Sequence, residues 1–262
     1  MIGANSRFKI LGPNLALDAT WTSLTSVPSL PASHLALERR GRICRTTSAA
    51  AQWFKAQLPV AQAVGGYALL DANLAAGVTI TVEANAIDAW PGLFTDAALV
   101  TWAPGRGGVL PRFFPAAQSY PWWRWSIDNP ANPSGYLQLK LVFGRVWDLG
   151  EGPAPGSFQD VDPSLTTWSP GGSPSTFALP LRRRLVIPVN ALAPEIVYGD
   201  ELDALIEAVG TKHDVVCSLY GDAPDQDAVA IKSNRYGRFT ELPEFVLEAP
   251  YYRGAFDFRE VR

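Results

Sequence analysis

The residues of this 262-residue chain that could do covalent or metal chemistry are present but scattered. Its two histidines, His34 and His213, lie far apart, and neither Cys-x-x-Cys nor His-Glu-x-x-His occurs. No zinc-ligand spacing exists, and no metal is expected. Gly-x-Ser-x-Gly is absent, and nothing orders Ser, His and Asp as a triad. Gly105-Arg106-Gly107-Gly108 is rich in glycine but lacks the spacing of a phosphate-binding loop and a following helix, so it reads as a loop. Asp222, Asp225 and Asp227 offer hard oxygen ligands, but not at EF-hand spacing; the plainer reading is a solvated loop. Hydrolysis of a glycosidic bond needs two carboxylates facing each other across a cleft. Glu83 and Asp128 are available, and nothing pairs them. The expectation is a non-catalytic chain without cofactor.

Aromatic and cationic residues carry more information. Nine tryptophans are many for this length. In the run Tyr120-Pro-Trp-Trp-Arg-Trp125, a strand period of two puts Trp123 and Trp125 on one face and Trp122 with Arg124 on the other. One of those faces is then exposed or lies against another subunit. Exposed indoles stack on sugar rings, which makes Trp90 and Trp102 candidate glycan contacts; Trp122 and Arg124 are candidates for a subunit contact. Arg182-Arg183-Arg184 interrupts an apolar stretch. It reads either as an edge strand guarded by charge or as a contact with acidic groups of a neighbouring subunit.

The elements that must position these residues are mostly short strands. Hydrophobic residues make up 47% and charged residues 18% of the chain, enough apolar content for a sizeable core. Its 22 glycines and 22 prolines fit many strands joined by tight turns. Residues 1 to about 30 look irregular. Strands are expected at Gly41–Thr46, Ala51–Leu58 and Ala61–Leu70, the last with a bulge or bend at Gly65-Gly66. Val78–Ala84 is the cleanest alternation, with Val78, Ile80 and Val82 on one face. Trp122–Ile127 and Tyr136–Val146, joined by the turn formers Asp128 to Gly135, read as a hairpin. The loop-rich stretch Gly150–Gly156 is the candidate boundary between a region over 1–149 and another over 150–262. Beyond it, Phe177–Val189 reads as a strand pair or as one long strand broken at Pro180, and Val215–Tyr220, Ala228–Lys232, Phe245–Glu248 and Gly254–Val261 read as strands. One helix is expected within Pro194–Val209, near 200–209. Asp200 caps it, Leu202, Leu205, Ile206 and Val209 form its stripe, and Gly210 stops it.

The net charge of −3 speaks against nucleic acid. No run of apolar residues is long enough for a membrane span, and the first residues lack the apolar core of an export signal. Cys44 and Cys217 read as buried free thiols.

A resemblance adds to this reading. Trp21, Gln52-Trp53-Phe54, Tyr67 to Leu74 followed by Val78 to Val82, Trp123 to Asp128, Asn132 to Tyr136 and Phe143-Gly144-Arg145 lie in a stretch, about residues 15 to 148, that resembles the galactose-binding-like, discoidin-type jelly roll of tailed-phage virion proteins. The region after it is similar in outline to ring-forming domains of tail proteins. The resemblance implies a mainly β fold, with a jelly-roll β-sandwich over 1–149 and a smaller β-rich assembly region over 150–262. It implies a distal tail protein at the tail tip or baseplate, forming a cyclic oligomer of three or six copies that contacts tube, hub or fibre proteins and is assembled in the host cytoplasm. The alternative is a carbohydrate-binding module that recognises host surface glycan.

Overall fold

Large apolar residues alternating with polar ones give this chain its strands, and the fold is mainly β, a jelly-roll β-sandwich followed by a β-rich region with helix. The computed structural model describes residues 7–100, 108–151, 157–161, 165–168, 174–177, 182–192, 194–197, 200–219, 234–241, 243–248 and 251–261. In chain order the strands of the first half are β1 Arg7–Leu11, β2 Thr20–Ser23, β3 Cys44–Arg45, β4 Gln52–Leu70, β5 Val78–Asn85, β6 Phe94–Val100, β7 Val109–Ile127, β8 Gln138–Gly144 and β9 Val146–Glu151. There follow β10 Ser157–Val161, β11 Leu165–Trp168, β12 Pro174–Phe177 and β13 Arg182–Leu192. Helices α1 Pro194–Val197 and α2 Asp200–Ala208 come next, then β14 Val215–Ser218, β15 Arg235–Phe239, β16 Phe245–Glu248 and β17 Tyr251–Glu260. Ala228–Lys232 lies outside the described residues.

The first sheet runs β3-β8-β4-β7-β5-β6, with β2 also on β4. β4 joins into one 19-residue strand what alternation alone reads as two. Its first half pairs with β2 and its second half with β8, while β7 accompanies it along both. Register shifts fall between Gln57 and Gln62 and between Val64 and Gly66, so the bend expected at Gly65-Gly66 is present. A Cβ on Gly66 would lie 2.4 Å from the Arg112 carbonyl oxygen. The concave side holds Phe54, Tyr67, Trp123, Trp125 and Phe143, all buried, with Trp125 and Phe143 5.1 Å apart and Trp21 5.6 Å from Trp125.

The hairpin expected from Trp122–Ile127 and Tyr136–Val146 does not form. β4 lies between β7 and β8. The turn formers between them build a longer crossing: Asn132 takes its N–H to Asn129, and its amide donates to Asn73 at 2.6 Å.

The second sheet runs β10-β13-β17-β15-β14-β1-β9, with β16 on β17. The N-terminal region is not irregular: β1 pairs with both β14 and β9. Sheet membership therefore does not divide the chain at residue 149. Phe8, Ile10, Val215, Cys217, Phe256 and Phe258 cover one face of this sheet, and Leu202 and Leu205 of α2, with Val209 just after it, join the same core. The helix expected within Pro194–Val209 is described in two stretches, α1 and α2, and residues 198–199 between them lie outside the described residues. On the opposite face Leu11, Val216 and Tyr236 pack against Ala68, Leu70, Val109 and Val142 of the first sheet. Cys44 and Cys217 are buried free thiols.

Candidate functional site

Strand pleating sorts the first sheet's residues into an inner and an outer set. Trp123 and Trp125 face in, as the period-two reading expects, and Trp122 and Arg124 face out, partly exposed. Register then sets the outer face in rows across β4, β7 and β5. Lys55, Arg124 and Glu83 form one row; Gln57, Trp122 and Asn85 form the next; Trp53, Ser126 and Thr81 form the third.

The loop from Ala86 to Leu93, between β5 and β6, folds back over these rows. Gly92 donates its N–H to Glu83 Oε1 at 3.2 Å, and a Cβ there would sit 2.6 Å from the Ala84 carbonyl oxygen. Asn85 Nδ2 donates to the Ala89 carbonyl at 2.6 Å. This return brings Asp88 to Lys55, whose Nζ donates to both carboxylate oxygens at 2.8 and 2.9 Å. The Lys55 ammonium holds the Asp88 carboxyl below its ordinary range, with a smaller contribution from the Trp90 indole N–H, which donates to Asp88 Oδ1 at 2.8 Å.

Arg124 lies at the centre. It donates to Glu83 Oε2 at 2.6 and 2.9 Å, and its guanidinium carbon stands 4.4 Å from the ring centre of Trp90. Lys55 Nζ stands 5.1 Å from the Trp53 ring and 5.9 Å from that of Trp122. Three partly exposed indoles thus surround two cations, each already held by a carboxylate. Glu83 is buried and engaged with Arg124 and Gly92, and Asp128 accepts the Ala51 N–H at 2.9 Å, so these two carboxylates do not form a facing pair. Among the described residues no cluster of three or more His, Cys, Asp or Glu could hold a metal ion.

Trp90, Trp122 and Arg124, which the sequence distributes between a glycan contact and a subunit contact, belong to one face. Trp102 lies outside the described residues, as do Gly105 to Gly107 and Asp222, Asp225 and Asp227. Arg182, Arg183 and Arg184 belong to β13, which has β10 on one side and β17 on the other. The edge-strand reading is therefore corrected. Arg184 is half-exposed and donates to both oxygens of Asp257 on β17, so its charge is answered within the chain. Sequence reasoning did not single out Trp53, Lys55 or Asp88. Alternation in Gln52-Trp53-Phe54-Lys55 was the available signal for the first two. Nothing short of the loop's path places Asp88. His34 contacts the Ile43 carbonyl through Nδ1 at 3.1 Å, and His213 is exposed after α2.

No family model matches the chain, and no curated protein matches it. Among solved structures it is similar to a chitosan-binding module from a chitosanase/glucanase of Paenibacillus sp. IK-5, at 19% identity and a TM-score of 0.41 over 51% of this chain and 100% of that one. It is also similar to a family 32 carbohydrate-binding module of Clostridium perfringens in complex with GalNAc-β-1,3-galactose, at 11% identity and a TM-score of 0.41 over 51% of this chain and 100% of that one. The lectin domain of lectinolysin in complex with Lewis B antigen matches at 14% identity and a TM-score of 0.40, covering 52% and 98%. These neighbours are carbohydrate-binding modules. No phage tail protein is among these three. Among the described residues no helix is long and apolar enough to cross a membrane.

Proposed function

We propose that this chain is a binding protein that takes carbohydrate on the outer face of β4, β5 and β7. The observation that carries the reading is the grouping of Trp53, Trp90 and Trp122 around the Lys55–Asp88 and Arg124–Glu83 pairs. A pyranose has apolar C–H faces that stack on indoles and equatorial hydroxyls that need donors and acceptors at fixed places. Polar groups already tied to one another lose little freedom when a ligand arrives, which favours binding. A glycan array on the purified chain tests this. Trp90→Ala and Trp122→Ala should each weaken the best glycan about tenfold, equivalent to about 1.4 kcal/mol of lost stacking. Binding that survives both changes intact, or no binding to any glycan, overturns the reading.

A second reading is assembly into a virion tail tip or baseplate, as a distal tail protein in a ring with tube, hub or fibre partners. The specific observation in its favour is β16, a strand that among the described residues pairs only with β17 and on which Val246 and Leu247 are 60% and 58% exposed. Exposed apolar residues beside an unpaired strand edge invite another chain. Light scattering over a concentration series should then give three or six copies, and a Val246→Lys, Leu247→Lys chain should remain monomeric. A monomer at every concentration counts against rings that form without a partner.

A further inference from the structure

Where the first sheet meets the end of β17, Leu30, Arg39, Arg40, Gly41, Arg42 and Val261 line an open cavity of about 450 Å³. Arg40 is 4% exposed and braces it. Its Nε and Nη2 donate to the two oxygens of Asp71 at 2.8 and 3.3 Å, and its Nη1 donates to the Val261 carbonyl at 3.1 Å, with Glu260 Oε1 at 4.0 Å. The neighbouring acids are answered in the same way: Glu38 pairs with Arg238 at 3.0 Å, and Arg238 also holds Asp214 at 2.8 Å. Arg39 and Arg42 differ. They are exposed, a backbone hydrogen bond from Arg42 N to the Arg39 carbonyl bends the chain between them, and neither has an ion-pair partner among the described residues. Gly41 stands between them at an open mouth, since a Cβ added there meets nothing within 4 Å.

We propose that this cavity binds a small organic anion, with a phosphate or carboxylate head between Arg39 and Arg42 and an apolar or sugar body against Leu30 and Val261. Two guanidiniums on one turn, neither ion-paired among the described residues, match the paired oxygens of such a head. The volume exceeds what a bare oxyanion fills and lies in the range of small-molecule sites. The head could come from a free metabolite or from a unit of an acidic polymer. The site is separate from the tryptophan face and stands whether or not that face takes glycan.

Calorimetry at low ionic strength on the full chain tests this, with inorganic phosphate, glucose 6-phosphate, glucuronate and glucose as probes, followed by a glucuronate-containing oligosaccharide. Glucose 6-phosphate or glucuronate should bind about tenfold tighter than inorganic phosphate, and glucose should not bind. An oligosaccharide that binds tighter than free glucuronate identifies the polymer as the source; equal or weaker binding identifies the metabolite. The Arg39→Gln, Arg42→Gln double variant should lose about tenfold or more, in line with removal of charge-assisted hydrogen bonds. Gly41→Trp should block the mouth. All three positions are exposed, so the variants should keep the melting temperature of the parent. No saturable binding of any anion, or equal binding by parent and both variants, overturns the proposal.

Discussion

Single residues in this chain are most informative where burial and charge oppose one another. Lys140 is fully buried on β8, and its ammonium donates to the carbonyls of His34 at 3.0 Å, Leu35 at 2.9 Å and Leu37. Three donors meet three acceptors at the end of the 3-10 turn Ala32–Ala36, which would otherwise leave carbonyls unsatisfied. Burial nevertheless pushes the pKa down to about 8. The sign follows from linkage. Between that value and the ordinary one near 10.5, the unfolded chain holds this proton more tightly than the native one, so Lys140 makes stability rise with pH across the window. Urea unfolding of the parent minus that of Lys140→Met should show this rise, about 2 kcal/mol between pH 8 and pH 9.5. A difference that stays flat or falls would rule out the buried ammonium as its source. The thiols follow simpler physics. Burial alone pushes Cys44 up to about 12 and raises Cys217 too, so the native chain offers no thiolate at neutral pH.

At the scale of elements, β4 and β7 do the positioning. They stay paired while changing partners along their length, and Gly66 marks the crossing. With the Arg112 carbonyl oxygen 2.4 Å from where a Cβ would stand, backbone rather than a flexible side chain must give way. Gly66→Ala should cost about 1–3 kcal/mol in urea unfolding, as overpacking does. A neutral Gly66→Ala would mean that the two strands separate more easily than their register implies. Much of each strand was legible in the sequence. Val78, Ile80 and Val82 face the core as their alternation requires, Trp123 and Trp125 part from Trp122 and Arg124, and the expected helical stripe is buried at Leu202 and Leu205 of α2 and at Val209 just after it. Partners were not legible. Period two says which way a side chain points but not which strand lies beside it, so a turn-rich segment after Ile127 read as a hairpin although β4 intervenes. β1 escaped for the same reason, because its partners Val216 to Ser218 lie some 200 residues away. The tryptophan face was half legible. Trp122 and Arg124 are fixed by alternation, whereas Trp90 and Asp88 reach them only through the return of a loop.

At the scale of the molecule, the two sheets are joined by more than adjacency. Leu70, Val109 and Val142 of the first and Leu11, Val216 and Tyr236 of the second are each at most 2% exposed, and they cover one another. Polar contacts fasten the rim of this seam: Asn234 Nδ2 donates to the Val109 carbonyl at 3.5 Å, and Arg40 ties Asp71 to Val261. A division at residue 149, proposed from composition, would cut through β9 and strip β1 of β14. A fragment of residues 1–149 would then expose the apolar outer side of β4, β7 and β8, together with an unpaired edge on β1. That fragment should be aggregation-prone or melt well below the full chain, because the area removed from water at the seam contributes about 25 cal/mol per Å² to both sheets together. Scanning calorimetry of the fragment beside the full chain decides the matter. A soluble fragment with the parent's melting temperature would show two units that fold independently and touch without coupling. A large drop would mean that the first sheet, and the tryptophan face with it, depends on the second sheet for its stability, and that loss of binding in a truncated chain reports lost support rather than lost contacts.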